Sequence, residues 1–472
     1  MSHGRITTRF APSPTGELHL GNARTALFSW LFARHHNGRF ILRIEDTDTE
    51  RSKESYTRAL MDDMRWMGLA WDAGPESFDG SPAADQEFRQ SRRGAIYARH
   101  SAALDARGLT YPCYCTPLEL DLSRKAQLAA GRPPRYAGTC RELSAEARVR
   151  KSAQGISPTT RFRVPTGKHV EFDDMVHGSQ RFATDDIGDF ILRRADGSAA
   201  FFFSNAIDDA EMGITHVLRG EDHLTNTPRQ LLVLEALGLR GPTYGHLSLL
   251  VGADGSPLSK RHGATSVREF RERGYLPTSL LNHLFRLGHS SSENAVLPLE
   301  SMARHFTVKH LGRAPARFEE SQLNAWQREV AHHLPIEDSE RWLAAETPGD
   351  IDAATRRAFI AAIRPNVLLP GDVAHWREVV FGPSPPLDAD SLARVREAGP
   401  QFFHAAAQAA ATGGSLEAIV AAVKAATGAK GQALWKPLRL ALTGSPEGPE
   451  LAPLLEAMPD SAIHDRLRRF AS

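Results

Sequence analysis

With 472 residues the chain is too long for one hydrophobic core, and its length predicts about three domains. A composition of 41% apolar and 24% charged residues is that of a globular protein, and no run of residues approaches a membrane span. The formal net charge of +1 neither requires nor excludes a nucleic-acid partner, so any RNA-binding surface must be a local basic patch balanced by acid elsewhere.

The N-terminal Met-Ser-His-Gly-Arg-Ile-Thr-Thr-Arg has no apolar signal region. A monomeric cytoplasmic protein without a membrane partner is the expectation. Residues Arg5 to Ala11 then read as a strand, Gly21 to His35 as a helix apolar on most sides, and Arg39 to Ile44 as a nearly continuous apolar strand. Strands of that kind belong to buried parallel sheets, and the strand–loop–helix–strand order predicts a doubly wound, Rossmann-like α/β domain. From Tyr111 to Ala200 the pattern changes to Cys, Pro and Arg with hairpin-like pieces such as Arg161 to Val164, as expected of an insertion. Sheet-like segments return at Ile214 to Arg219 and His246 to Val251. After Gly274 the chain reads as helical to its end, with breaks at 290–293, 383–386 and 445–449. The expected division is a split catalytic domain (1–110 and 200–255), an inserted domain (111–199), a loop and stem-contact region (256–320) and an all-α region (321–472).

Two segments more than two hundred residues apart carry the chemistry. The first is Pro12, Ser13, Pro14, Thr15, Gly16, Glu17, Leu18, His19, Leu20, Gly21 and Asn22, a loop between a strand and a helix start. A helix N-terminus offers free N–H groups and partial positive charge to a phosphate, Gly21 lets the backbone approach a nucleotide, and His19 and Asn22 can donate hydrogen bonds there. Alone, the segment is equally a tight turn capped at Asn22. The second is Pro257, Leu258, Ser259, Lys260 and Arg261, after an Asp254-Gly255 turn. A lysine in such a loop can neutralise charge developing as pyrophosphate departs, whereas an isolated Ser-Lys-Arg is ordinarily a solvated triplet.

Arg9, Glu45 and Arg219 each fall at the carboxyl end of a predicted strand, where ligands bind in open α/β sheets. Two guanidiniums and one carboxylate complement glutamate, with two carboxylates and one ammonium, and the planar arginine fork suits a carboxylate. All three cysteines, Cys113, Cys115 and Cys140, lie within 28 residues, which argues against a disulfide framework and for a zinc knuckle. Its fourth ligand would be Tyr136 or Glu142, and the alternative is a knuckle that folds without metal.

The two segments resemble the paired "HIGH" and "KMSKS" signatures of class I aminoacyl-tRNA synthetases. Arg9 to Gly16, Leu42-Arg-Ile-Glu-Asp-Thr-Asp48, Gly213 to His223, Leu258 to Gly263 and Leu438 to Gly444 are similar to bacterial glutamyl-tRNA synthetases over nearly the whole chain. The resemblance implies activation of L-glutamate by ATP with Mg2+ and its transfer to tRNA(Glu), tRNA(Gln) or both. It implies that Arg9 holds the side-chain carboxylate, Arg219 the α-carboxylate and Glu45 the ammonium, that Ser13, Phe201 and Asn205 line the same pocket, and that Asp222 and His223 lie near the adenosine. It also implies catalytic roles for His19 and Lys260, an acceptor-end role for the insertion and anticodon reading by the helical region. Three positions depart from the pattern. They are Pro257 for a basic residue, Asn22 for a histidine, and Phe201 for a tyrosine whose hydroxyl is lost. A glutaminyl enzyme would carry β-barrels at its end, and a truncated paralogue would lack the helical third; a catalytically idle RNA-binding protein would have no use for Arg9, His19, Glu45, Arg219 and Lys260.

Overall fold

The structure is a computed structural model that describes residues 5–48, 50–81, 87–258, 263, 265–413 and 415–472. The chain divides into two compact units, one of residues 1–269 and 281–319, the other of residues 270–280 and 320–472.

In the first unit, β1 (Thr7–Phe10) and β2 (Arg39–Leu42) pair in parallel, with Arg9 opposite Ile41. Between them runs α1 (Leu20–His35), with eleven of its sixteen residues buried. A helix apolar on nearly every side must be covered on nearly every side. Here α1 packs on β1, on β2 and on the helix Leu299–His305. The return to β2 passes Asn37 at φ 52°, a left-handed residue past the helix end, and then Gly38, where a Cβ would collide with the Ile6 carbonyl. The helix begins at Leu20 with His19 as its cap, whose Nδ1 accepts the Gly21 N–H at 3.3 Å. The cap is therefore His19 rather than Asn22, because the imidazole reaches the second free N–H of the helix while Asn22 already lies in its first turn.

The next helices are α2 (Glu54–Trp66) and α3 (Gly94–Ala106). The expected insertion builds a small antiparallel sheet, β3 (Thr110–Cys113) with β4 (Thr159–Phe162) and β7 (Ile191–Arg193). It also holds α4 (Pro117–Ala129), α5 (Ala145–Ala153), the short α6 (Thr184–Ile187) and a hairpin of β5 (His169–Asp174) and β6 (Gly178–Ala183). Then come α7 (Phe201–Glu211), β8 (His216–Gly220), α8 (Thr227–Leu237) and β9 (Thr243–Leu247), the two strands parallel with Arg219 opposite His246. Thr215 joins this pair to β1 through its N–H on the Thr7 carbonyl at 2.9 Å. The expected strand at His246 to Val251 is two pieces, β9 and β10 (Leu250–Val251), and β10 pairs with β11 (Ala316–Arg317), an extended segment inside the expected helical region.

The second unit is helical. Its core gathers Phe359, Ile360, Phe402, Phe403, Leu438 and Leu454, all at most 1% exposed. Leu438 to Gly444 closes the helix Gln432–Thr443, whose last residue is followed by Gly444 at φ 73°. Arg466 is buried, has no carboxylate partner among the described residues, and donates to the carbonyls of Val379 at 2.5 Å, Leu442 at 2.6 Å and Gly382 at 2.8 Å. It thus satisfies carbonyls that helix ends leave without partners. Among the described residues no helix is long and apolar enough to cross a membrane.

Candidate active site

A cavity of about 460 Å³ opens at the carboxyl ends of β1, β2 and β8 and at the N-terminus of α1. Its size and location are those of a small-molecule site in an α/β sheet. From the first signature segment, Pro12, Ser13, Thr15, His19, Gly21 and Asn22 border it; Pro14, Gly16, Glu17, Leu18 and Leu20 do not. Leu18 and Leu20 are core residues, and Glu17 instead accepts the Ser266 hydroxyl at 2.8 Å. Leu20 N to Thr265 O and Val267 N to Leu18 O, both 2.9 Å, zip this segment to the stretch following the second signature. Pro257 and Leu258 border the cavity from that side, with Pro257 bridged to Val251. Ser259, Lys260 and Arg261 lie outside the described residues.

His19 titrates below its ordinary 6.5, mainly because burial disfavours the imidazolium, with the Leu258 backbone and Glu269 pulling the other way. It is therefore neutral at pH 7. Since Nδ1 accepts from Gly21, the ring proton sits on Nε2 as a donor.

The pocket floor is a buried charge network. Arg9 donates from Nε and Nη2 to the two Asp209 oxygens at 3.2 and 3.3 Å. Arg43, wholly buried, donates to Asp209 at 2.7 Å and to Glu45 at 3.3 Å and lies 3.9 Å from Asp208. Burial alone would lower the Arg43 pKa, but the three carboxylates raise it well above the ordinary value. Asp208 also receives Arg93 at 2.6 Å, Gln90 at 2.8 Å and the Tyr97 hydroxyl at 2.8 Å. Glu45 accepts from Asn205, and its pKa is raised by burial against the pull of Arg43 and Arg9.

Arg219 differs from the other guanidiniums. It is 5% exposed, and its partners are all neutral: His246 at 3.2 Å, and Thr227 and Gln230 at 2.7 Å. Its guanidinium lies 4.9 Å from the Tyr244 ring centroid. Burial pulls its pKa to about 10, so it is still a cation at neutral pH, and among the described residues no carboxylate is hydrogen-bonded to it. Such a charge is costly unless a ligand pairs it.

Phe201, Asn205, Asp222 and His223 also border the cavity, and the Phe201 ring lies 5.5 Å from that of His223. Burial, then the Arg219 charge, depresses the His223 pKa to about 4. The sequence did not single out Arg24, which lines the same cavity and ties the carbonyls of Ser248 and Leu287. Nor did it single out Arg43, Asp208 and Asp209. Their only local signal is charge inside apolar runs, Phe40-Ile-Leu-Arg-Ile44 and Ala206-Ile-Asp-Asp-Ala210.

Phe201 also borders a second, more open cleft of about 840 Å³ carrying Arg124, Arg135, Arg161, Arg194, Arg229 and Phe202. At its edge the three cysteine sulfurs lie within 4.8 Å of one another. The Tyr136 hydroxyl is 3.3 Å from Cys113 Sγ and 3.6 Å from Cys115 Sγ, and it accepts the Cys140 N–H at 2.8 Å. Burial would raise the Cys113 thiol, yet Tyr136 and Arg161 bring it down to about 7, whereas burial pushes Cys115 up to about 12. Glu142 is exposed and receives Arg163 at 3.1 Å. Of Tyr136 and Glu142, it is therefore the Tyr136 hydroxyl that lies beside the sulfurs.

Residues 5–325 match the family described as "tRNA synthetases class I (E and Q), catalytic domain", and residues 336–471 match "Anticodon binding domain". The chain is 54% identical over 473 residues to glutamate–tRNA ligase 2 of Alkalilimnicola ehrlichii, covering 99% of this chain and 98% of the relative. It is 50% identical over 473 residues to glutamate–tRNA ligase 1 of Halorhodospira halophila, covering 100% and 98%. Among solved structures, a glutamate–tRNA ligase of Elizabethkingia meningosepticum in complex with its amino acid superimposes with a TM-score of 0.88 at 28% identity, covering 99% of both chains.

Proposed function

The chain belongs to the class I tRNA synthetases of the glutamate and glutamine branch, and we propose that it is a glutamate–tRNA ligase whose cavity binds L-glutamate and ATP. The observation that carries the pocket assignment is Arg219, a buried cation whose hydrogen-bond partners among the described residues are all neutral. Arg219 and Arg9 receive the two carboxylates of glutamate, and Glu45 receives its ammonium. Ser13 and Asn205 add polar contacts, and Phe201 closes the pocket toward the second cleft.

In the first step a glutamate α-carboxylate oxygen attacks the α-phosphorus of ATP. A P–O bond forms, the bond from the α-phosphorus to the bridging oxygen breaks, and pyrophosphate leaves; Mg2+ entering with ATP would neutralise part of the phosphate charge. The protein positions the reactants and spreads the developing charge over the His19 Nε2–H, the first N–H groups of α1 and Lys260. Asp222 and His223 flank the adenosine. In the second step a terminal ribose hydroxyl of tRNA attacks the carbonyl carbon of the mixed anhydride and AMP leaves. The cleft with its five arginines suits the tRNA acceptor end, since guanidiniums track phosphates and the Phe202 ring offers a stacking face. The helical unit reads the anticodon.

Charging assays with labelled amino acids test this reading. Glutamate is expected to be attached to tRNA(Glu) in an ATP-dependent reaction, and glutamine to be disfavoured on the order of 10⁴-fold, because its NH2 meets arginine donors that have no acceptor. Comparable charging with glutamine would sink the pocket assignment. Parallel reactions with tRNA(Gln) show whether that tRNA is a substrate too.

A structural Zn2+ fits the knuckle, held by Cys113, Cys115, Cys140 and Tyr136, where it would tie β3 to the following loop. Protein purified without chelator is expected to contain about one zinc per chain. Zinc well below that level would count against the site. Retention of full zinc by a Tyr136→Phe variant would assign the fourth position elsewhere.

A further inference from the structure

We propose that Asp174 and His246 are positioning residues for glutamate binding, acting together as a tautomer lock that holds Arg219 in its ligand-receiving orientation; this rests on the assignment of Arg219 to a glutamate carboxylate. Asp174 ends β5 in the inserted hairpin, and His246 lies on β9 in register with Arg219. The hairpin reaches β9 at Gly245, where a Cβ would come within 2.8 Å of Leu218 Cδ2 and 2.9 Å of Met175 Cε. Met175 N–H also donates to the Tyr244 carbonyl at 2.8 Å. Asp174 is 4% exposed, and His246, Thr227 and Gln230 are fully buried.

The hydrogen bonds run in one consistent direction. Asp174 Oδ1 accepts the backbone N–H groups of Val176 at 2.9 Å, His177 at 2.8 Å and His246 at 3.3 Å. Its other oxygen lies 2.6 Å from His246 Nδ1. A carboxylate can only accept, so the ring proton is on Nδ1 and Nε2 is left as an acceptor. Arg219 Nε donates to that Nε2 at 3.2 Å, and Thr227 Oγ1 lies 3.0 Å from it. Arg219 Nη2 donates to Thr227 and Gln230. Because the Gln230 oxygen is occupied, its NH2 donates to the Asn205 oxygen at 2.7 Å, and the Asn205 NH2 in turn donates to Glu45. The chain begins on one buried carboxylate, Asp174, and ends on another, Glu45, with the three polar contacts of Arg219 set between them. Among the described residues Arg219 Nη1 has no partner, which leaves it for the ligand.

An Asp174→Asn substitution tests the lock with almost no change of shape. The three backbone N–H groups keep the amide oxygen where Oδ1 was, so the NH2 must face His246 Nδ1. That nitrogen then has to accept, the ring proton moves to Nε2, and Nε2–H confronts Arg219 Nε–H. The expected result is a rise in the KM for glutamate of about 10- to 100-fold, the worth of one hydrogen bond to a charged group, with the KM for ATP changed less than about twofold. In 15N-histidine spectra one histidine should exchange its Nδ1-protonated signature for the Nε2-protonated one. His246→Phe, which keeps the ring but removes the acceptor, should shift the glutamate KM in the same way. An unchanged tautomer, an unchanged glutamate KM, or equal shifts in both KM values with a lowered melting temperature would each overturn the proposal. Arg219→Ala measured alongside separates the two levels. If it leaves the glutamate KM unaltered, the pocket assignment has failed; if it raises that KM while Asp174→Asn does not, only the lock has failed.

Discussion

An Arg219→Ala enzyme is expected to fold normally and to lose glutamate, its KM rising by roughly 10²- to 10³-fold while ATP binding is retained. The magnitude corresponds to about 2–5 kcal/mol for removing one partner of a buried charged pair. The folding half of the expectation follows from the neutral partners. Without the guanidinium, His246 Nε2, the Thr227 hydroxyl and the Gln230 oxygen lose a donor, but no carboxylate is left buried and unpaired. Steady-state charging at varied glutamate and at varied ATP, beside a thermal melt, measures both halves. A glutamate KM equal to that of the unaltered enzyme would show that Arg219 is a structural cation.

For Arg43→Met the opposite phenotype is expected. Arg43 is enclosed by Asp208, Asp209 and Glu45, so removing it leaves carboxylates that Arg9 and Arg93 only partly compensate. Breaking a buried ion pair from one side costs about 3–5 kcal/mol, and a clear loss of thermal stability should follow. Arg43→Lys keeps the charge but cannot reach three carboxylates from one fork, so an intermediate melting temperature is expected. The pH dependence has a definite sign. Burial would raise the Asp209 pKa, but Arg9 and Arg43 hold it below its ordinary 3.8. The stabilisation from Asp209 is then fully present above 3.8 and is lost as the pH falls through the lower native value. Glu45, raised by its burial, works in the other direction and favours acid. A melting temperature unaffected by Arg43→Met would mean that the floor of the pocket is not held by these charges.

The paired predictions rest on features of different legibility. Arg9, Glu45 and Arg219 could be placed at strand ends from local patterns alone, since period, apolar runs and turn residues locate a strand's end without knowing its neighbours. The cysteine knuckle was legible for the same local reason, but its fourth corner was not. Tyr136 and Glu142 flank Cys140 at four and two residues, and only the fold shows the phenol beside the sulfurs and Glu142 exposed, paired with Arg163. The alternative of a bare turn placed a cap at Asn22, whereas an imidazole one turn earlier reaches the Gly21 N–H. His246 and Asp174 gave no local signal of a role. They are 72 residues apart in sequence and meet only where the β5–β6 hairpin crosses β9.

The sequence by itself determined the reaction class, the parallel strands and their helix, and the kinds of charge available to a dicarboxylic amino acid. These follow from residue types and short-range spacing, which the chain carries wherever it folds. Tertiary structure alone decided how each charge is shared. Arg9 gives its Nε and Nη2 to Asp209 and Arg43 is enclosed by three carboxylates, while Arg219, an identical side chain, has His246, Thr227 and Gln230 as its hydrogen-bond partners. Pairing and desolvation depend on what surrounds a group in three dimensions, and the neighbours that set them lie up to 200 residues away along the chain.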